Sequence, residues 1–391
     1  MCYLKITLII IYLVLTFPSQ ANKNVLDNVI TLRDQKTENL YNNLKKLSTE
    51  GKIMYGSANP TTLMYKETHI SKGFNNSDVK EITGQNPALH ESDFMWFDDP
   101  KLIEPDKAAS KSAYRRGAVI AYCWHLRGKE SISFYARDRA KFTADKELVR
   151  KITSGGKRTD NPELDWLYTK LDSTVIATFK EFGFPVIFRP WHEMNGGWFW
   201  WGKDNCSPDE YIKLFQITVD YMRTQGVTNV LYAWSPDTKL TMEYYPGDEY
   251  VDILGLDIYE MGVVPHKTID KITIELEKLT DYAASKDKVA AITETGLRFE
   301  NNVFRYPEET PDYWSKYILE PLVSNPKLNR IVWVLSWYSA DWSRNRKSQV
   351  YYPYVGMEND FKNGQEAIDD FLKFYNHPAT LFEDDLPDMY K

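Results

Sequence analysis

The sequence predicts an α/β fold: a single (β/α)₈ TIM barrel with its catalytic cleft at the C-terminal face of the strands. Three observations predict it. Eight short apolar segments read as strands buried on both faces, as in a parallel sheet. Amphipathic helical patterns lie between several of them. The unusual polar residues stand where the strands end, which is where such barrels keep their chemistry.

The strand segments are Ile53–Ser57, Asp93–Phe97, Ala118–Trp124, Val186–Trp191, Val230–Ser235, Ile253–Tyr259, Val289–Thr293 and Ile331–Trp337. The second carries the weakest pattern. Leu164, Leu167, Leu171, Val175 and Phe179 recur at steps of three or four, one helix face. Ser207-Pro-Asp-Glu210 is a capping-box sequence with Pro at the first helical position, and the helix it opens carries Ile212, Phe215, Val219 and Met222. Ile269, Ile272, Leu276 and Leu279 repeat the pattern. Segments 58–92 and 126–162 then read as loops or insertions shaping the cleft. His125 ends the third strand, His192 and Glu193 the fourth, and Asp237 follows the fifth. Asp257 and Tyr259 end the sixth, Glu294 the seventh and Trp337 the eighth.

The densest signal is Arg189-Pro-Trp-His-Glu-Met-Asn-Gly-Gly-Trp-Phe-Trp-Trp-Gly202, which follows the apolar run Phe184–Phe188. A core does not need four Trp, a Glu, a His and an Asn in one loop. A sugar site does, because pyranose rings stack on aromatic faces while carboxylates act on the glycosidic oxygen. Glu193 and Glu294 form the expected pair, one to protonate the leaving oxygen and one to attack. At strands four and seven they would face each other across the barrel mouth, about 5–5.5 Å apart if the reaction retains configuration. The alternative for Glu294 is a strand-end Glu paired with Arg298. Trp198, Trp200, Trp201 and Trp337 are candidate stacking platforms, of which at least two are expected at the cleft.

Other chemistries fit poorly. A zinc motif needs His at the first and fifth positions of His192-Glu-Met-Asn-Gly196, and Gly196 stands at the fifth. No G-x-S-x-G elbow and no phosphate-binding glycine pattern occur. No metal or cofactor is therefore expected.

Hydrophobic residues make up 43% of the 391, aromatic residues 14%, and formal net charge is −7. The charge argues against nucleic acid and favours a neutral polymer. Residues 1–21 read as a secretory signal peptide, with Lys5, an apolar run from Ile6 to Phe17, and small Ser19 and Ala21 at the cleavage site. The expected product is an exported protein, periplasmic or extracellular, with residues 22–391 as one catalytic domain, monomeric and free of the membrane. Cys123 and Cys206 remain after cleavage and read as free thiols near the site face.

These motifs resemble glycoside hydrolase family 26. The likeness runs from about Lys52 to Asp341 and includes Trp124-His125, Asp257-Ile-Tyr259, Ile292-Thr-Glu-Thr-Gly296 and Ser336-Trp337. That family consists mainly of retaining β-1,4-mannanases with a (β/α)₈ barrel. The resemblance implies Glu193 as acid/base and Glu294 as nucleophile, with β-mannan or manno-oligosaccharides as substrate. It places His125, His192, Trp198, Asp257, Tyr259 and Trp337 among the substrate-binding residues. His192 and Tyr259 would hold Glu294, His125 would contact the sugar being cleaved, Trp337 would stack beneath it, and Trp198 would serve the leaving side. Tyr338 stands where several family mannanases have Arg, so contacts on the inner non-reducing side would differ. The alternatives are hydrolysis of β-1,3-xylan or mixed-linkage glucan on the same fold, and a non-catalytic mannan-binding protein.

Overall fold

Eight parallel strands pair around a closed circuit. They are β1 (Ile53–Ala58), β2 (Leu89–Asp93), β3 (Val119–Trp124), β4 (Val186–Pro190), β5 (Val230–Trp234), β6 (Ile253–Tyr259), β7 (Val289–Gly296) and β8 (Ile331–Ser336). The order runs β2-β3-β4-β5-β6-β7-β8-β1, and β1 also pairs with β2, which closes the barrel. A two-residue strand, β9 (Thr380–Leu381), adds to the edge of β1. This computed structural model describes residues 33–67, 73–138, 140–263, 267–297, 306–340 and 350–391. Residues 33–391 form one compact unit. The expected leader, residues 1–21, lies outside the described residues, as does Arg298.

Every residue of β1 to β8 is buried, which is why the strands read as apolar runs. The exception is β2. Its sequence, Leu-His-Glu-Ser-Asp, is polar, so hydrophobicity pointed one strand-length too far along, to Asp93–Phe97. Those residues instead form a 3₁₀ turn, Phe94–Asp98, opened when Asp93 Oδ1 accepts the Met95 N–H at 2.9 Å. The polar letters of β2 have uses that periodicity cannot see: Glu91 bonds Arg189 and Asp93 bonds His125.

The helices follow the expected faces. Leu164, Leu167, Leu171, Val175 and Phe179 are all buried along three consecutive helical pieces, Pro162–Lys170, Leu171–Ile176 and Ala177–Phe182. The middle piece is π-helical. The capping box at Ser207 forms, with Glu210 N–H on Ser207 Oγ at 3.3 Å and Ser207 N–H on Glu210 Oε2 at 2.8 Å. Segments 58–92 and 126–162 carry elements of their own. The first holds the helix Asp78–Thr83 and β2, and the second holds the helix Leu148–Thr153. Among the described residues no helix is long and apolar enough to cross a membrane.

One irregularity positions the site. Between β6 and β7 the register steps from Leu256↔Ile292 to Asp257↔Glu294, leaving Thr293 as an extra residue on β7. A bulge of this kind re-aims the side chains that follow it. Here it sets Glu294 beside Asp257, and the extra Thr293 donates its hydroxyl to Asp257 Oδ1 at 2.6 Å. Gly255 makes room, since a Cβ there would meet Thr293 Oγ1 at 2.3 Å.

Candidate active site

Arg189, in β4, is the centre of the site. Its guanidinium is 1% exposed and donates to three carboxylates, reaching Glu91 Oε1 at 3.0 Å, Asp257 Oδ2 at 3.0 Å and Glu294 Oε1 at 2.7 Å. A buried guanidinium is costly unless such partners surround it. The carboxylates are not equivalent. Burial raises Glu91 to about 7 against the pull of Arg189. Burial, with the charges of Glu294 and Glu193, drives Asp257 well above the usual range despite Arg189.

Glu294 is held at both oxygens. Arg189 takes Oε1, and the Tyr259 hydroxyl donates to Oε2 at 2.6 Å. Glu193 follows β4 in left-handed backbone, φ 55°, as does Trp191 at φ 56°. Such a conformation costs about 1–3 kcal/mol per residue and persists only where neighbours impose it. Here Glu193 N–H bonds Ser235 O at 2.8 Å, and the Tyr211 hydroxyl bonds Trp191 O at 2.9 Å. Asn195 ties the motif to the end of β5 through Asp237, whose N–H it accepts and whose carbonyl it donates to. One carboxylate oxygen from each of Glu193, Asp257 and Glu294 lies within 4.8 Å of the others.

Trp198 donates its Nε1–H to Glu193 Oε2 at 2.7 Å. Its ring covers Gly196, where a Cβ would stand 2.3 Å from the indole. Trp337, after β8, sets its ring edge-on to His125, centroids 5.7 Å apart. Trp198 thus borders Glu193, and Trp337 borders His125. Trp200 and Trp201 do not serve as platforms: both are fully buried, with their N–H groups on Leu126 O and His192 O, each at 2.8 Å. They pack the loop from below.

Asp257 is 0% exposed, with Thr293 on one oxygen and Arg189 on the other. His192 lies 3.8 Å from Glu294, beyond hydrogen-bond reach, and its Nε2 instead faces His125 Nε2 at 3.1 Å. Arg189 therefore supplies the second hold on Glu294. Sequence reasoning gave no role to Arg189, Glu91 or Asp93. Arg189 opens the tryptophan-rich motif, and a charged residue inside an apolar strand was the available signal. Cys123 and Cys206 are both free and buried.

Fold and site together define a class: closed (β/α)₈ barrels with a carboxyl pair at the ends of the fourth and seventh strands. Within it the chain belongs to Glycosyl hydrolase family 26, whose sequence profile matches residues 30–318, more than half of the chain. It is 30% identical over 294 residues to a mannan endo-1,4-beta-mannosidase of Bifidobacterium adolescentis, covering 67% of this chain but only 27% of that protein. A mannan endo-1,4-beta-mannosidase of Bacillus subtilis is 28% identical, over 58% of this chain and 62% of its own length. Among solved structures, a GH26 beta-mannanase from Bacteroides ovatus superposes with a TM-score of 0.74 at 28% identity, covering 92% of this chain and 98% of that one.

Proposed function

We propose that the chain is a retaining β-1,4-mannan hydrolase. The observation that carries this reading is the short span between Glu193 and Glu294, whose nearer oxygens lie within 4.8 Å. Retaining enzymes set the two carboxyls about 5–5.5 Å apart and inverting ones roughly 6.5–9.5 Å, and an approach this close favours the retaining arrangement. The names of the relatives support mannan as substrate and internal cleavage as the mode.

In the first step a Glu294 oxygen attacks the anomeric carbon. The bond to the leaving glycosidic oxygen breaks, and that oxygen takes the proton of Glu193. In the second step Glu193, now a carboxylate, takes a proton from water. The water oxygen attacks the anomeric carbon, and the ester bond to Glu294 breaks. Arg189 and Tyr259 stabilise the departing carboxylate. Trp198, which bonds Glu193, and Trp337, whose ring meets His125, are the proposed sugar contacts, while His125, with both ring nitrogens bonded within the protein, stands behind Trp337. Export fits the substrate, since a polysaccharide cannot enter a cell intact, and residues 1–21 read as a leader.

Mannohexaose with NMR detection of new anomeric protons tests the reading. β-Configured reducing ends should form first, among several early product lengths. Glu294→Ala should lose nearly all activity, whereas Glu193→Ala should keep first-step activity on aryl mannosides whose leaving groups need no proton. First-formed α anomers would overturn double displacement. Cleavage of β-1,3-xylan or mixed-linkage glucan but not mannan would move the substrate.

A further inference from the structure

Asp93 has no part in the two-step reaction, yet it ends β2 inside the site and is fully buried. Its Oδ1 accepts the backbone N–H of Met95 at 2.9 Å and of His125 at 3.1 Å, and its Oδ2 lies 2.5 Å from His125 Nδ1. A carboxylate given three donors is solvated by the protein and favours its charged form. Nδ1 of His125 therefore carries a hydrogen. On the far side of the ring, Nε2 faces Nε2 of His192 at 3.1 Å. Two imidazole nitrogens this close share one hydrogen, so one ring donates and the other accepts.

The surrounding charges decide the direction. His125 faces Asp93 from β2, Glu193 from the end of β4 and Glu294 from β7, with Phe134, Phe199 and Trp337 closing the remaining sides. The neighbouring thiol of Cys123, on β3, is pushed well up by burial and stays neutral. His192 has cationic neighbours, His125 and Arg189. Burial opposes charge on both rings. At His125 the acidic groups outweigh it and the ring sits above its ordinary value, whereas at His192 burial and the two cations push the ring well below.

We propose that Asp93 is a positioning residue that holds His125 as an imidazolium, its Nε2 hydrogen donated to His192 and its charge set beside the Glu193–Glu294 pair. The proposal rests on the reading of those two residues as acid/base and nucleophile. The charge favours the Glu294 carboxylate that must be present before attack. Loss of the His125 proton turns the shared hydrogen bond around and removes that charge.

The test is a ring-nitrogen NMR titration of the ¹⁵N-histidine-labelled full chain, with His125 assigned by its absence in His125→Gln. His125 should be doubly protonated at pH 6. In Asp93→Asn the amide carbonyl can still accept from Nδ1, but the ring should lose its proton about one pH unit lower, for want of the carboxylate charge. On mannohexaose, Asp93→Asn should shift the alkaline limb of kcat/KM down by a similar amount and lose about tenfold at pH 8 but far less at pH 5. A purely structural role would lower activity equally at both pH values. Identical His125 titration in the two proteins overturns the proposal. If Asp93→Asn does not fold, a neutral His125 at pH 6 in the unmodified chain overturns it alone. The titration uses no substrate, so it stands or falls separately from the question of which glycan is cut.

Discussion

At the scale of residues, Trp198 shows how a side chain can be read correctly in kind and incompletely in action. Its place five residues beyond Glu193 suggests a sugar platform. The structure adds a hydrogen bond from its Nε1 to Glu193 at 2.7 Å, which Gly196 permits by leaving space under the ring. Trp198→Phe keeps an aromatic face and deletes the donor. A hydrogen bond to the neutral acid contributes about 0.5–1.5 kcal/mol, so kcat/KM on mannohexaose should fall about two- to tenfold with the melting temperature nearly unchanged. An unaltered kcat/KM would show that the bond does not orient the acid. The carboxyl pair itself was legible because Glu193 lies in a motif too rich in Trp to be a core, and Glu294 ends an apolar strand. Arg189, Glu91 and Asp93 were not, because a buried ion cluster leaves no periodic trace. Each of its members looks alone like a misplaced charge.

At the scale of elements, seven strands were legible within a few residues because both of their faces are covered by apolar groups. β2 was displaced because it spends its inward positions on Glu91 and Asp93. The β7 bulge was invisible, since an extra residue in a strand changes register and not composition. Its test is Gly255→Ala. The added Cβ would overlap Thr293 Oγ1 at 2.3 Å, with Ser235 Cβ only 3.0 Å away. The bulge should shift, Glu294 should leave Arg189 and Tyr259, and activity should drop at least a hundredfold, more than any loss of folded protein explains. Activity near that of the unmodified chain would mean the register is held elsewhere. A second element, the helix Pro100–Arg116, is pinned to the barrel by Asp106, which accepts from Ser92 and, at 2.6 Å, from the Tyr122 hydroxyl. Burial lifts Asp106 to about 7, against 3.8 for a free Asp. A raised folded value means the native state binds the proton more tightly than the unfolded chain. The resulting stability is present at pH 4 and is lost as pH rises from about 4 to about 7. Asp106→Asn should remove that loss, so denaturant midpoints at pH 4 and pH 8 should lie closer together in the variant. An equal spacing in both proteins would assign the slope to other groups.

At the scale of the whole molecule, the relevant quantity is where the charge lies. The net charge of −7 rests on many surface groups of both signs, while the charges that act on the reacting atoms, Arg189, Glu193, Glu294 and the His125–Asp93 pair, are buried. Salt screens exposed charges beyond about 10 Å at 0.1 M and buried ones far less. A neutral polysaccharide gains nothing from steering by the surface field, and the buried groups keep their interactions when salt is added. Hydrolysis of mannan should therefore change less than about twofold in kcat/KM between about 0.05 and about 0.5 M sodium chloride at constant pH. A cationic or anionic glycan would behave differently, its association rate falling or rising steeply as the acidic surface is screened. Steady-state kinetics on mannohexaose across that range decides between them. A change of tenfold or more would mean that exposed charge takes part in binding, and that the substrate is not a neutral β-mannan.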